Sequence, residues 1–321
     1  MKKYIFSLLS IAMLIAVPFT LAGQTGALSG RFTVNENGKT VCFSKGNLQY
    51  QASTNTWRFA EHQWDIVGHR YKVETGDDHF VYKYTGTVDG STNEYISPTN
   101  SKWIDLFGWG TSGAAGKKPY TTSMRYQDYA SGNGMTIAGT DCDWGVFNRI
   151  SNGGNKAGLW RTLTYEEWSY LLFERRTAKG FLFVYGTVND IHGLILLPDN
   201  WNGSAYSLTD VNDPGLWEWT EINKISASDW NRILEPAGAV FLPCAGTRGD
   251  LNYENMIDGM GTGPEGALPF NGAYWSSSLA IYDPSDIWTV SAYYLFFGGN
   301  VRTNYSAPIC MGHSVRLVAD K

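Results

Sequence analysis

Motifs that announce chemistry are missing from this 321-residue chain. It has no His-Glu-x-x-His, no Cys-x-x-Cys and no Gly-x-Ser-x-Gly, so zinc hydrolysis and nucleophile-elbow hydrolysis have no support in the sequence. Charge is sparse too, at 17% of residues with a net −5, and no basic cluster exceeds two neighbours such as Lys117-Lys118 or Arg175-Arg176. Nucleic acid needs a concentrated positive face and is therefore excluded as the expected partner. Beyond residue 17 no apolar run approaches the roughly 20 residues that span a bilayer. What is abundant instead is glycine (36), tryptophan (13) and tyrosine (19), the composition of a loop-rich globular chain and not of a helical bundle or a disordered one.

The N-terminus reads as an export signal. Lys2 and Lys3 precede an apolar run from Ile5 to Val17, and Pro18, Thr20, Leu21, Ala22 and Gly23 follow it. These are the three regions of a secretory signal peptide. Position 24 is Gln, where lipoprotein processing needs Cys. The expectation is a signal peptide over 1–23 and a mature chain 24–321 with no transmembrane segment, delivered to the periplasm, cell surface or medium. That mature chain is long enough to bury a large core, and no repeat, Pro-rich linker or charge run divides it.

Along residues 31 to 67, apolar and polar positions alternate and Asn-Gly and Lys-Gly interrupt them, which predicts short antiparallel strands. Residues 84–101 and 110–142 are rich in Gly, Ser, Thr and Asn with little periodicity, and are expected to be surface loops. Thr164 and Glu167 make a capping-box pattern ahead of Trp168, Leu171 and Leu172, predicting a helix that ends near Arg175-Arg176. A shorter helix is predicted from Ala227 to Leu234, with Ser226 as cap and Pro236 beyond its end. Strand candidates are 193–198, 239–243, 273–276, 292–297 and 314–318. Two helices against short strands make an α+β fold, read as one domain with a β-rich part 24–110, a loop-rich insertion 111–157 and a core 158–321. Cys42, Cys142, Cys244 and Cys310 allow three pairings in an exported chain. The favoured bridge is Cys244 with Cys310, both in the compact C-terminal part, and four buried free thiols are the alternative.

Four motifs in order then carry a resemblance: Trp160 to Trp168 (WRTLTYEEW), Phe241 to Arg248 (FLPCAGTR), Tyr274 to Ser278 (YWSSS) and Gly312 to Val318 (GHSVRLV). The order resembles bacterial C-type-lectin-like domains of the Fibrobacter major paralogous and Lcl C-terminal types, and more distantly the formylglycine-generating family. The stretch Phe43 to Tyr50 (FSKGNLQY) is similar to sequences ahead of such domains in exported proteins of gut Bacteroidales. The resemblance implies a C-type-lectin-like fold with two helices, short twisted antiparallel sheets and long loop insertions. It also implies a ligand-binding face over 279–311, presented to a glycan or a protein. Some relatives of this kind are rewritten by diversity-generating retroelements, which would make that face hypervariable.

The face contains Tyr282, Asp283, Trp288, Tyr293, Asn300, Arg302, Asn304 and Tyr305, the mixture of stiff aromatics and adaptable polar groups found in paratopes. Arg316 in the terminal strand is read as a structural ion-pair partner. No cofactor is expected. Glu235-Pro236-Ala237 and Val211-Asn212-Asp213 depart from the calcium motifs of animal lectins, and Asp210, Asn212, Gly215 and Glu221 mimic an EF-hand loop only in part, with Pro214 at a ligand position. The oxidase chemistry of the formylglycine-generating members uses two nearby cysteines, whereas Cys310 stands far from Cys244. Gly261 to Gly266 matches Gly-x-Gly-x-x-Gly without the strand and helix a dinucleotide site needs. Asp141 with Asp143, and Glu218 with Glu221, are read as solvated loop carboxylates in preference to a glycosidase pair. The expectation is a non-enzymatic binding module, with an envelope glycan-active enzyme or an assembly subunit of a surface structure as alternatives.

Overall fold

The computed structural model describes residues 25–67, 70–74, 80–84, 97–123, 125–130, 136–215, 222–248, 257–258, 271–281 and 290–321. In chain order the strands among them are β1 (Phe32–Thr33), β2 (Thr40–Phe43), β3 (Leu48–Gln51), β4 (Thr56–Phe59), β5 (Arg70–Glu74), β6 (Phe80–Tyr84), β7 (Trp103–Ile104), β8 (Phe183–Val188), β9 (Ile191–Leu196), β10 (Lys224–Ile225), β11 (Val240–Pro243), β12 (Thr247–Arg248), β13 (Ile257–Asp258), β14 (Gly272–Ile281), β15 (Ser291–Phe297), β16 (Val301–Pro308) and β17 (Val318–Asp320). They form four small sheets, ordered β1-β2-β17, β4-β3-β7, β10-β8-β9-β11 and β14-β15-β16, and two further pairs, β5-β6 and β12-β13. With three short α-helices, α1 (Trp144–Phe147), α2 (Tyr165–Ser169) and α3 (Ala227–Asp229), the described chain is mixed α and β, and mostly strand.

The sheet β8-β9-β11 shows why the run from Leu194 to Leu197 is continuously apolar. Successive side chains of a strand point to opposite faces, and here both faces are covered. Phe183, Tyr185, Leu194, Leu196, Val240 and Leu242 enter one core with Phe43, Trp168 and Leu171. Val184, Val188, Ile195 and Phe241 enter another with Trp64, Trp201, Trp230 and Leu234. A third core, rich in Trp and Tyr, lies between β3, β4 and one face of β14–β16.

Both predicted helices form with the predicted caps. Thr164 Oγ1 accepts from the Glu167 N–H at 3.2 Å, and Glu167 returns a carboxylate oxygen to the Thr164 N–H at 3.0 Å. Ser226 Oγ accepts from the Asp229 N–H at 3.0 Å. Each helix then widens into a π-helical turn, Tyr170–Glu174 after α2 and Trp230–Leu234 after α3. Arg175 does end its helix, but as a buried plug. Its guanidinium donates to the carbonyls of Leu171, Leu182 and Leu197 at 2.6, 2.9 and 2.5 Å and pairs with Asp199 at 2.7 Å.

Several expectations need correction. The loop-rich segment 110–142 is surface only in part: Lys118, Arg125 and Gln127 are exposed, but Tyr129, Ala130 and Ile137 are buried in the Trp-rich core. Asp143 is fully buried as the N-cap of α1, where it accepts from Gly145 and Thr162. The Cys244–Cys310 bridge is not formed: Cys244 is a free thiol in one core while Cys310 packs in another. Nor is Ser314–Val318 one continuous strand, since ladder pairing starts only at Val318.

That terminal segment serves instead as a seam. His313 pairs with Phe107, Gly312 with Arg248, Ser314 with Tyr274 and Val318 with Arg161, each as a single bridge to a different element. Leu317 and Val315 accept from the Ser44 and Leu48 N–H groups, and β17 closes on β2. At its centre Arg316 is 1% exposed, and its bonds go to amides, not to a carboxylate. Its Nη2 donates to Gln63 Oε1 at 2.8 Å, and the Gln63 carboxamide donates onward to Glu235 at 2.8 Å. The same Gln63 oxygen accepts from the Phe241 N–H at 2.8 Å. Nη1 donates to Asn47, which reaches the Tyr274 hydroxyl, and that hydroxyl donates to the Pro243 carbonyl. Burial pushes Arg316 down to about 10, opposed by Tyr274 and Glu235, so it stays charged at neutral pH.

Gln63→Leu leaves a buried cation and a backbone N–H without their acceptor. It should cost about 3–5 kcal/mol in urea denaturation; a loss under about 1 kcal/mol would show that the network does not hold the fold.

Candidate functional site

The π-turn after α2 prepares one wall of a groove. Tyr165, Ser169 and Phe173 recur at four-residue spacing on the side of the helix away from the buried Trp168, Leu171 and Leu172. Phe173 is 45% exposed although it is a large hydrophobe, and it meets Phe183 edge-on at 6.4 Å. The opposite wall is β16. It begins after a turn in which Gly298 and Gly299 have φ of 150° and 111°, a region L side chains rarely enter. The segment from Asn300 to Asn304 runs along it, buried Thr303 contacts Ser169 at 3.1 Å across the floor, and Arg302 pairs with Phe296 on the strand's other face. Pro214 and Gly215 complete the rim, pinned by the Val301 N–H on the Pro214 carbonyl at 2.8 Å. The groove has a volume of about 430 Å³.

Three of the eight expected face residues, Asn300, Arg302 and Asn304, line this groove. Tyr293 backs it by stacking on Tyr165 with centroids 4.4 Å apart. Tyr305, 40% exposed, belongs to a neighbouring aromatic cluster with Tyr294 and Phe296 at 6.3 and 5.5 Å. Tyr282, Asp283 and Trp288 lie outside the described residues, as do residues 1–23, Glu218, Glu221 and the Gly261–Gly266 motif. The stretch 279–311 is not uniformly a surface: Ala292, Leu295, Phe297, Val301 and Ile309 are core, and exposure concentrates in 302–306. The helix wall was missed in the sequence. The available signal was two aromatics, Tyr165 and Phe173, on the helix side that its apolar stripe leaves outward.

The Ser276–Ser278 run supports the groove from behind. The Ser278 hydroxyl accepts from the Tyr165 N–H at 3.0 Å, and Ser277 N–H donates to the Leu163 carbonyl at 2.8 Å, tying β14 to the start of α2. The fork of Arg161 on Glu167, at 2.6 and 2.8 Å, and its bond to Asp320 at 2.8 Å hold the same helix to β17.

Among the described residues the groove lining includes no Asp, Glu, His, Cys or Lys. The buried titratable groups lie elsewhere and are engaged structurally. Burial pushes Asp105 up to about 7 and Asp143 up to about 6, against the hydrogen bonds they accept. Burial drives His313 down to about 3, with its ring between Trp275 and Tyr294 at 4.1 and 4.6 Å. Burial raises Cys42 and Cys244, the latter well above the usual thiol range, which disfavours the reactive thiolate. Among the described residues no group of three His, Cys, Asp or Glu could hold a metal. Asn212, part of the EF-hand-like spacing, spends its carboxamide oxygen on the Leu182 N–H at 2.7 Å.

Compared with protein-family models, with curated proteins and with solved structures, the chain matches none. Among the described residues no helix is long and apolar enough to cross a membrane.

Two strongly shifted buried groups set opposing pH slopes. Folded Asp105 keeps its proton to about pH 7, against 3.8 ordinarily, so its contribution is present at low pH and lost as pH rises through 7. Folded His313 stays neutral to about pH 3, against 6.5 ordinarily, so its contribution is present above 6.5 and lost on acidification. From about pH 4 to 6.5 each contributes about 1.4 kcal/mol per pH unit with opposite sign. Measured as the difference from the parent chain, in which Asp143 acts in the same sense as Asp105, Asp105→Asn should therefore tilt urea midpoints toward a fall as pH is lowered from 6.5 to 4, and His313→Gln toward a fall as pH rises over the same range. Parallel profiles for both variants and the parent chain would contradict the assignment.

Proposed function

We propose that this chain is an exported ligand-binding module, and that the groove between α2 and β16 is its binding site. The observation that supports this most is the lining itself. Among the described residues the groove is lined by the aromatics Tyr165 and Phe173, by Ser169, Pro214 and Gly215, and by the segment from Asn300 to Asn304, with no Asp, Glu, His, Cys or Lys. Pockets that bind and orient a ligand combine apolar surface with a few placed polar groups in this way, whereas general acid–base or covalent catalysis needs a titratable or nucleophilic partner within reach of the reacting atom.

The finer reading is a bacterial C-type-lectin-like domain displayed in the periplasm, on the cell surface or outside the cell, whose ligand is a glycan or a protein. The capped helix of the WRTLTYEEW stretch, the YWSSS strand and the buried arginine of GHSVRLV support it, because all three brace one sheet and leave the β15–β16 side open to solvent. Retroelement diversification remains part of the proposal, with 302–306 as the segment where exposed variation costs the fold least.

The test is binding of the mature chain to glycan and protein arrays, with Phe173→Ala run in parallel. Phe173 is half exposed, so the variant should fold, and loss of its ring should weaken the captured ligand at least tenfold, about 1.4 kcal/mol. Unchanged affinity in Phe173→Ala would remove the groove as the site.

A further inference from the structure

We infer that the ligand of this groove is an extended segment of another protein chain, which adds to β16 as a further strand. The inference rests on the groove being the binding site. The consecutive residues from Asn300 to Asn304 all line it. Side chains of a strand alternate between faces, and here Thr303 reaches Ser169 on the α2 side while Arg302 pairs with Phe296 on the other. Such a run can line one groove only along the edge of the strand, so main-chain groups form that wall. Among the described residues β16 is the last strand of its sheet, paired on one side with β15. The Val301 N–H turns away from β15 to the Pro214 carbonyl at 2.8 Å, and the Ile309 N–H turns inward to Val290 at 3.1 Å. Counting in twos from each end makes Thr303 and Ser306 outward positions, on either side of the extra residue that the register shift leaves in β16. Among the described residues neither of their N–H groups has an acceptor.

An open edge is a template for a strand, because another main chain repeats donors and acceptors at the same spacing. The hydroxyls of a sugar ring have no such repeat. α2 supplies the second half of the site. A strand laid beside β16 turns alternate side chains toward α2, where the ring of Phe173 is 45% exposed and Tyr165 lines the same wall. The side chains between them pass exposed Arg302 and Tyr305 on the opposite face. Pro308 holds an outward position without an N–H and ends the template. The added segment is therefore short, and an apolar side chain against Phe173 anchors it.

The experiment selects ligands for the mature chain from a phage-displayed library of short random peptides and measures the strongest, as a synthetic peptide, by titration calorimetry. Each amide of that peptide is N-methylated in turn. The expected result is a period-two pattern, in which methylation at alternate residues weakens binding by about tenfold or more and methylation between them changes it little. Ser306→Pro takes one outward N–H from β16, and Pro308 shows that this edge accommodates proline. Its urea midpoint should stay near that of the parent chain while peptide affinity falls, and Phe173→Ala should weaken the same peptide. If Ser306→Pro does not fold, the methylation pattern on the parent chain decides alone. Tolerance of methylation at every position, or unchanged affinity in folded Ser306→Pro, overturns strand addition and leaves the groove if Phe173→Ala still weakens binding. Indifference to Phe173→Ala overturns the groove and the inference with it. A library that yields no binder overturns the inference, and a glycan weakened by Phe173→Ala would then keep the groove.

Discussion

The fold turns on one buried guanidinium. Arg316 sits in the terminal segment with its charge intact, and that charge is tolerable only because Gln63 and Asn47 present their amide oxygens to it. Gln63 in turn lies between the cation and Glu235, so its carboxamide is polarised from both ends, an arrangement that strengthens each bond in a low-dielectric interior. The network reaches β11 through Phe241 and β14 through Tyr274. Residues far apart in sequence are thus held to one point, and removing any partner leaves a desolvated polar group behind.

Around that point the terminal segment stitches the sheets. Its single bridges to Phe107, Arg161, Arg248 and Tyr274 replace one long ladder, which is why several small sheets can surround three cores without a large central sheet. The consequence for the site is rigidity. α2 is fixed to β17 through Arg161, Glu167 and Asp320, and to β14 through Ser278, so both walls of the groove stand on elements that are themselves anchored. Binding positions placed on such a scaffold lose little entropy when a ligand arrives.

Much of the local structure was legible because local physics decides it. Thr164 with Glu167 and Ser226 ahead of Ala227 marked both helix starts, and the Gly193–Pro198 run marked a strand buried on both faces. What was illegible depended on long-range partners. Arg175 looked like an exposed C-terminal charge, yet beside the Leu171 carbonyl of its own turn the carbonyls of Leu182 and Leu197 and the Asp199 carboxylate converge on it from strand ends and loops. Asp143 looked like a loop carboxylate, and only the fold brings the backbone and hydroxyl of Thr162 to it. The Gly-rich segment 110–142 lacks periodicity because its buried residues fill gaps singly. Of the site, the strand wall of Asn300, Arg302 and Asn304 was read from composition and alternation. The helix wall was not, because the aromatic pair Tyr165 and Phe173 is meaningful only once β16 is known to lie opposite.

The central claim is that ligand recognition occurs in the groove between α2 and β16. The most direct measurement is a crystal structure of the mature chain with the tightest-binding ligand from the glycan and protein arrays. A ligand seated against Phe173 and along the segment from Asn300 to Asn304 is the predicted result. A ligand seated instead on the Tyr294, Phe296 and Tyr305 cluster, with the groove filled only by water, would contradict it.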